Sequence, residues 1–192
     1  FAKSIFDAKD FSGATLNDLD FSDSYMYDVS FPGASIRDSN FTGVEFYIGL
    51  DVDGTSIYDT DFSDVSVYSA SGSLKLLSGV DFNGAFIEDL YLGDTSLDDV
   101  SFENSEIGNL YLLRNPQSPI AGDDTTTLNF RGAQLHNAIF QGANLSGVDF
   151  SGSMIQHYGS IFQGSNLSDA DFTNATFHSS ENAIFEQDTN IS

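Results

Sequence analysis

Residues 11–46 read FSGATLNDLDFSDSYMYDVSFPGASIRDSNFTGVEF, and a large apolar residue returns at every fifth place: Phe11, Leu16, Phe21, Met26, Phe31, Ile36, Phe41 and Phe46. A period of five fits neither the 3.6 residues of a helical turn nor the two-residue alternation of a strand. It keeps its apolar residue pointing inward only if the chain turns by a fixed angle at each repeat. Four repeats then close one square coil of about 20 residues, and coils stack at the strand spacing of about 4.8 Å.

The ladder covers nearly the whole chain. Phe6 precedes it. After one inserted residue near position 50 it resumes at Val52, Ile57, Phe62 and Val67, and it then runs from Leu77 to Leu112. Further stretches run from Phe130 to Ile155 and from Phe162 to Phe177. Of the 18 Phe, only Phe86 and Phe185 lie off it, so the aromatic excess is the ladder itself. Small or β-branched residues such as Ala34, Val44, Val65, Ala133 and Ala143 stand two places before the ladder positions. Coils of this length predict Phe over Phe. Phe21, Phe41, Phe62, Phe82 and Phe102 form one column, Leu16, Ile36, Ile57, Leu77 and Leu97 its neighbour, and Phe130, Phe150 and Phe172 a later stack. Gly13, Asp18, Gly33, Asp38, Gly54 and Asp59 fall where corners need tight or left-handed backbone.

These repeats resemble the pentapeptide-repeat family, most closely in ANLSG at Ala143–Gly147, ADFTN at Ala170–Asn174 and AQLH at Ala133–His136. The resemblance implies an all-β fold, a right-handed quadrilateral β-helix or pentapeptide-repeat solenoid of about eight coils. The pattern predicts a single domain over 1–192, interrupted by an extruded loop at 113–129 (LRNPQSPIAGDDTTTLN) and closed by a C-terminal cap or tail at 178–192. The register slips by two between His157 and Ile161, which reads as a bulge. Gly72 takes a ladder position and Lys75 an inward small-residue position, so the wall is expected to be distorted there.

The 192 residues carry 29 Asp plus Glu against 6 Lys plus Arg, a net charge of -23, with no Cys and no Trp. That charge excludes direct binding to nucleic acid or to an anionic membrane surface, which both need basic patches. No apolar run reaches membrane-span length, so no membrane insertion is expected. Without Cys there is no thiolate metal site or cysteine nucleophile. No nucleophile, base and orienter combination appears, so the chain does not read as an enzyme, and no cofactor is expected. Asp51-Val-Asp53-Gly54 and Asp59-Thr-Asp61 look like calcium-loop fragments but fall on ordinary polar places of the repeat. His136, His157 and His178 follow ladder residues of one column, so the three could run up one edge as metal ligands. Tyr27, Tyr47 and Tyr68 each follow a ladder residue of a single column, and should stack outside as a flat aromatic strip. With the acidic corners Asp18, Asp38 and Asp59 and the loop pair Asp123 and Asp124, they are the candidate partner-binding residues.

The first functional expectation is a non-catalytic scaffold, an acidic rod docking onto a partner protein or larger complex. A homodimer has no sequence support. Relatives in the family include exported proteins of cyanobacterial and plastid compartments such as the thylakoid lumen. The absence of Cys and of an initial Met leans toward an exported or organelle-lumen compartment, lumen or periplasm. The second expectation is a DNA mimic that binds gyrase, since some family members confer fluoroquinolone resistance in this way. Eight coils make a rod of roughly 38 Å, over which duplex DNA carries about 22 phosphates. Those members dimerise through a C-terminal helix, and HSSENAIFEQDTNIS here is poor in the apolar residues that one needs.

Overall fold

A computed structural model describes residues 1–93, 95–113, 128–157 and 161–179, excepting the side chains of His157 and Ser179. In chain order the strands of the first half are β1 (Ile5–Asp7), β2 (Thr15–Asn17), β3 (Tyr25–Tyr27), β4 (Ser35–Arg37), β5 (Glu45–Ile48), β6 (Leu50–Asp51), β7 (Ser56–Tyr58), β8 (Ser66–Val67) and β9 (Ala70–Ser71). Those of the second half are β10 (Leu76–Asp81), β11 (Phe86–Tyr91), β12 (Ser96–Ser101), β13 (Glu106–Tyr111), β14 (Gln134–Ile139), β15 (Met154–His157) and β16 (Thr176–Ser179). All pairings are parallel. One face is a nine-stranded sheet in the order β1-β3-β5-β8-β11-β13-β14-β15-β16, and another is the five-stranded sheet β12-β10-β7-β4-β2. Nine rungs on one face make about eight coils, and the architecture is the expected quadrilateral β-helix.

The inward ladder is what holds the coils in phase. Phe1, Phe21, Phe41, Phe62, Phe82, Phe102, Phe130, Phe150 and Phe172 form one uninterrupted ring stack, with successive centroids 4.7 to 5.4 Å apart. The step from Phe102 to Phe130 is 5.2 Å at 9°, so the two stretches of repeat share one core. Across the interruption Glu106 pairs with Gln134 and Asn109 with Asn137, a sequence separation of 28 where Asp89 and Asn109 are separated by the usual 20. The coil that holds the interruption is therefore eight residues longer than the usual 20. Residues 114–127, including Asp123 and Asp124, lie outside the described residues, as do 180–192 of the expected cap.

Corner chemistry follows the expectation. Gly13, Gly33 and Gly54 have φ of 65°, 64° and 67°, and Asp18, Asp38 and Asp59 have φ of 53°, 47° and 45°. Aspartate tolerates this left-handed backbone better than most side chains, which is why it alternates with glycine there. Buried hydroxyls two places before the ladder residues are satisfied by carbonyls, as in Thr55 Oγ1 donating to Phe31 O at 2.7 Å and Thr95 Oγ1 to Leu74 O at 2.8 Å. Ser153, between Ala133 and Ala175 in the stack, is the exception among the described residues, its buried Oγ having no partner.

Lys75 does not point inward. It is exposed, while Leu74 is 7% exposed and fills the wall in its place. An unpaired ammonium in an apolar core costs far more than a one-residue change of phase.

Candidate functional site

The outer surface of the nine-stranded sheet carries the tyrosines. Tyr27 stacks on Tyr47 with centroids 4.8 Å apart and planes 5° apart, and Tyr47 stacks on Tyr68 at 5.5 Å and 23°. The single insertion sits in β5. Tyr25 pairs with Glu45 and Met26 with Phe46, but Tyr27 pairs with Ile48, which leaves Tyr47 as the surplus residue of a bulge. Bulged out, its ring reaches both Tyr27 and Tyr25, the latter at 6.2 Å.

Three further members were not legible as part of the strip. Tyr25 and Ile5 precede the ladder residues Met26 and Phe6, and are 41% and 73% exposed. Phe86, off the ladder in sequence, lies 5.6 Å from Tyr68. The signal that could have found them is parity: in a strand the residues on both sides of an inward one point outward. Ile48, 62% exposed, completes a continuous apolar and aromatic surface. A second pair, Tyr91 and Tyr111, stacks at 4.9 Å and 4° at the other ends of β11 and β13.

Acid surrounds the strip. Asp23, Asp28 and Asp64 occupy left-handed corners beside it, with φ of 54°, 50° and 56°, and all are exposed, as is Asp7 on β1. Glu45 Oε2 accepts the Tyr47 hydroxyl proton in a short hydrogen bond. That bond, reinforced by burial and the Glu45 charge, pushes the Tyr47 phenol up to about 12. Stacked rings cover one another's faces, so the strip offers ring edges and hydroxyls, while cations would meet the carboxylates at its rim. Among the described residues a stacked cation lies elsewhere: the Arg37 guanidinium sits 3.5 Å over the Tyr58 ring, on the five-stranded sheet.

Asp18, Asp38 and Asp59 follow β2, β4 and β7, the strands of the five-stranded sheet, so they do not join the tyrosines in one site. The strand pairing does not set the histidines at equivalent places either. Ile155 pairs with Phe177 and Gln156 with His178, while His157 pairs with Ser179, one place further on. His136 Nε2 lies 3.1 Å from Glu106 Oε1. Among the described residues no group of three or more His, Asp or Glu is placed to hold a metal ion. The fragments resembling calcium loops are corner elements. Asp51 Oδ1 accepts from Asp53 N at 3.0 Å, and Gly54 and Asp59 are left-handed.

Much of the acid has a local task. Eight aspartates occupy left-handed corners. Seven more (Asp10, Asp20, Asp51, Asp61, Asp81, Asp149 and Asp171) accept the backbone N–H two residues on. Among the described residues, fifteen acidic side chains thus serve turns, and much of the charge is a by-product of building corners from short polar residues. Hydrogen bonds from Ser12, Ser22 and Thr173, side chain and backbone, hold Asp10, Asp20 and Asp171 below the ordinary 3.8. Burial alone would raise Asp61, but bonds from Ser63 and Thr42 outweigh it and its carboxyl is lowered too. A depressed folded value means that the caps contribute fully above pH 3.8, and that this contribution is lost as pH falls through the folded values. Urea unfolding followed from neutral to acid pH should show the loss beginning below 3.8. Asp61→Asn, which keeps the acceptor as Asn40 and Asn129 already do in the same column, should weaken that pH dependence. An unchanged acid transition in the variant would refute the assignment.

Comparison with known proteins adds the following. A family model described as pentapeptide repeats matches residues 10–43, 128–157 and 158–181, in 8 copies. No curated protein matches the sequence. Among solved structures, the chain is 17% identical to HetL, a pentapeptide repeat protein involved in heterocyst differentiation regulation from the cyanobacterium Nostoc, over 96% of this chain and 88% of that one, with a TM-score of 0.43. It is 24% identical to a pentapeptide repeat protein of the Arabidopsis thaliana thylakoid lumen, over 55% and 66%, with a TM-score of 0.33. A trypsin-treated variant of QnrB1, a plasmid-mediated fluoroquinolone resistance protein, is 17% identical over 91% and 89%, with a TM-score of 0.39.

Proposed function

Because the chain is a pentapeptide-repeat protein, built from corners and a ring-stacked core, we propose that it acts as a non-catalytic scaffold that docks a partner protein onto the tyrosine face of its nine-stranded sheet. The observation that carries this reading is the continuous outer stack Tyr27–Tyr47–Tyr68, extended by exposed Ile5, Tyr25 and Ile48 and rimmed by carboxylates. Rigid tyrosines give a large contact area at low entropic cost. A flat sheet fixes them before the partner arrives, so little ordering remains to be done on binding. The acid rim selects a partner whose contacting surface is basic, and speeds the encounter at low salt.

The test is a triple replacement, Tyr27→Ser with Tyr47→Ser and Tyr68→Ser, all on the outer surface. Partners should be taken as proteins retained by the wild type in affinity capture, then measured as purified components against wild type and variant alike. Loss of central aromatic contacts should weaken binding by at least about 100-fold, with the far-UV circular dichroism unchanged. Equal affinity of wild type and variant would remove the strip from the reading.

A second reading rests on the column Asp20–Asn40–Asp61–Asp81, whose members bridge from coil to coil along the rod and set carboxylates at a polymer-like spacing. That reading is mimicry of duplex DNA toward gyrase or another topoisomerase. A supercoiling assay with purified gyrase decides it, since a mimic must inhibit or protect the enzyme and a scaffold must leave it unaffected.

A further inference from the structure

In several coils two side chains point inward along the face that follows the nine-stranded sheet. Three such pairs are Leu50 and Val52, Leu90 and Leu92, and Leu110 and Leu112, all but the half-buried Val52 being buried. In the coil between the first two, the same positions hold Ala70 and the exposed Gly72, which has no side chain. Leu50 pairs directly with Ala70, and Leu90 with Leu110, so the register is kept while the side-chain volume is not. Leu74 closes part of the gap from the next position. What remains is a cavity of about 70 Å³ whose lining includes Phe41, Phe46, Phe62, Leu50, Ala70 and Leu90.

Two polar residues also border the cavity, and both are engaged. The Thr55 hydroxyl donates to Phe31 O at 2.7 Å, and Asp89 Oδ1 accepts from Asn109 Nδ2 at 2.7 Å, in a polar ladder continued by Asn137 Nδ2 to Asn109 Oδ1 at 2.8 Å. A water molecule needs two to four polar partners, and a cavity lined by apolar groups stays dry. Val52, Ala70 and Asp89 are only half-buried, so the cavity approaches the surface on this side of the solenoid.

We propose that this cavity is a binding site for a small uncharged apolar molecule. An apolar cavity of about 150 Å³ admits benzene or xenon, so one of about 70 Å³ takes xenon or a hydrocarbon of about two to four carbons. The site lies on the core side of β5, β8 and β11, whose outer side carries the docking strip. Its guest is held by dispersion contacts that the missing leucine would otherwise make.

Xenon is the probe, added under pressure to the full chain, with the site read by xenon NMR in solution and by xenon density in crystals. Wild type should bind one xenon between Leu50 and Leu90. Ala70→Leu, which restores the Leu50–Leu90 column, should weaken xenon binding by at least about tenfold while keeping or raising the melting temperature. Methyl chemical shifts in the wild type supply a readout that needs no variant: propane should move those of Leu50, Val52 and Leu90. Absence of xenon from this site, methyl shifts confined to other residues, or undiminished binding in a folded Ala70→Leu protein would each overturn the proposal.

Discussion

Phe130→Ala should lower the unfolding free energy by about 3–5 kcal/mol, read from urea or guanidinium unfolding. Phe130 is fully buried, and its ring stacks on Phe102 at 5.2 Å and on Phe150 at 5.2 Å, with Phe140 meeting it edge-on at 5.9 Å. Removing it opens a cavity and deletes three aromatic contacts, each worth about 0.5–1.5 kcal/mol beyond the area buried. The position has a second importance. Phe130 is where the ring stack resumes after the enlarged coil, so it couples the coils before the interruption to those after it. In a stacked array stability is a sum of coil and neighbour terms. Weakening this junction should therefore broaden the transition or split it in two, and Phe130→Leu should do so far less. A single sharp transition with a loss below about 1 kcal/mol would mean that the two stretches are not joined through this stack.

The second large effect is counter-intuitive from the sequence. Gly72 stands at a ladder position, so Gly72→Leu looks like a repair. Its φ is 86°, however, and a Cβ there would lie 2.5 Å from Asp53 N and 2.7 Å from Asp53 Cα. Both are main-chain atoms of the preceding coil, which cannot move aside as a flexible side chain can. Left-handed backbone costs a branched or bulky residue about 1–2 kcal/mol, and separating the coils adds to it, for a total of about 2–4 kcal/mol. At roughly 2–4 °C per kcal/mol for a chain of this size, the melting temperature should fall by about 5–15 °C. The volume is restored without strain at Ala70, two residues earlier. Should Gly72→Leu prove the more stable protein, the coil at Ser69–Lys75 would have to be redrawn.

The fold was legible because its code is local and redundant. Every fifth residue and nearly every corner repeats the same instruction, and the left-handed φ of Gly13, Asp18, Gly33 and Asp38 is what their chemistry anticipates. The ladder showed where the phase changes, near position 50 and at His157–Ile161, but not which side chain faces inward around Gly72. A count of five cannot tell whether Lys75 or Leu74 faces inward once Gly72 has broken the wall, and only the cost of burying an ammonium decides it. The count does show that His157 stands two places after Ile155, where His136 and His178 stand one place after Leu135 and Phe177, and the strand pairing keeps that offset. The Tyr27–Tyr47–Tyr68 stack was readable from its place after the ladder residues. Tyr25, Ile5 and Phe86 were not, because the place before a ladder residue is polar in most repeats and the few apolar ones do not by themselves mark a shared strip. Continuity of the phenylalanine stack across the interruption was beyond the count as well, because eight surplus residues erase the period while leaving the geometry intact.

Coils of the basic length coexist in this one stack with coils enlarged by one, two and eight residues. Contour length is thus a free variable, and the fixed quantity is the set of inward anchors each turn must supply. Turns of different length keep their pairing with the turns above and below, whereas the rod lengthens only when a whole turn is duplicated. Such a molecule can be enlarged in two unrelated ways, by sidearms of any size or by discrete steps of height, and a graft placed between Leu112 and Leu128 would use the tolerance that the longest coil already displays.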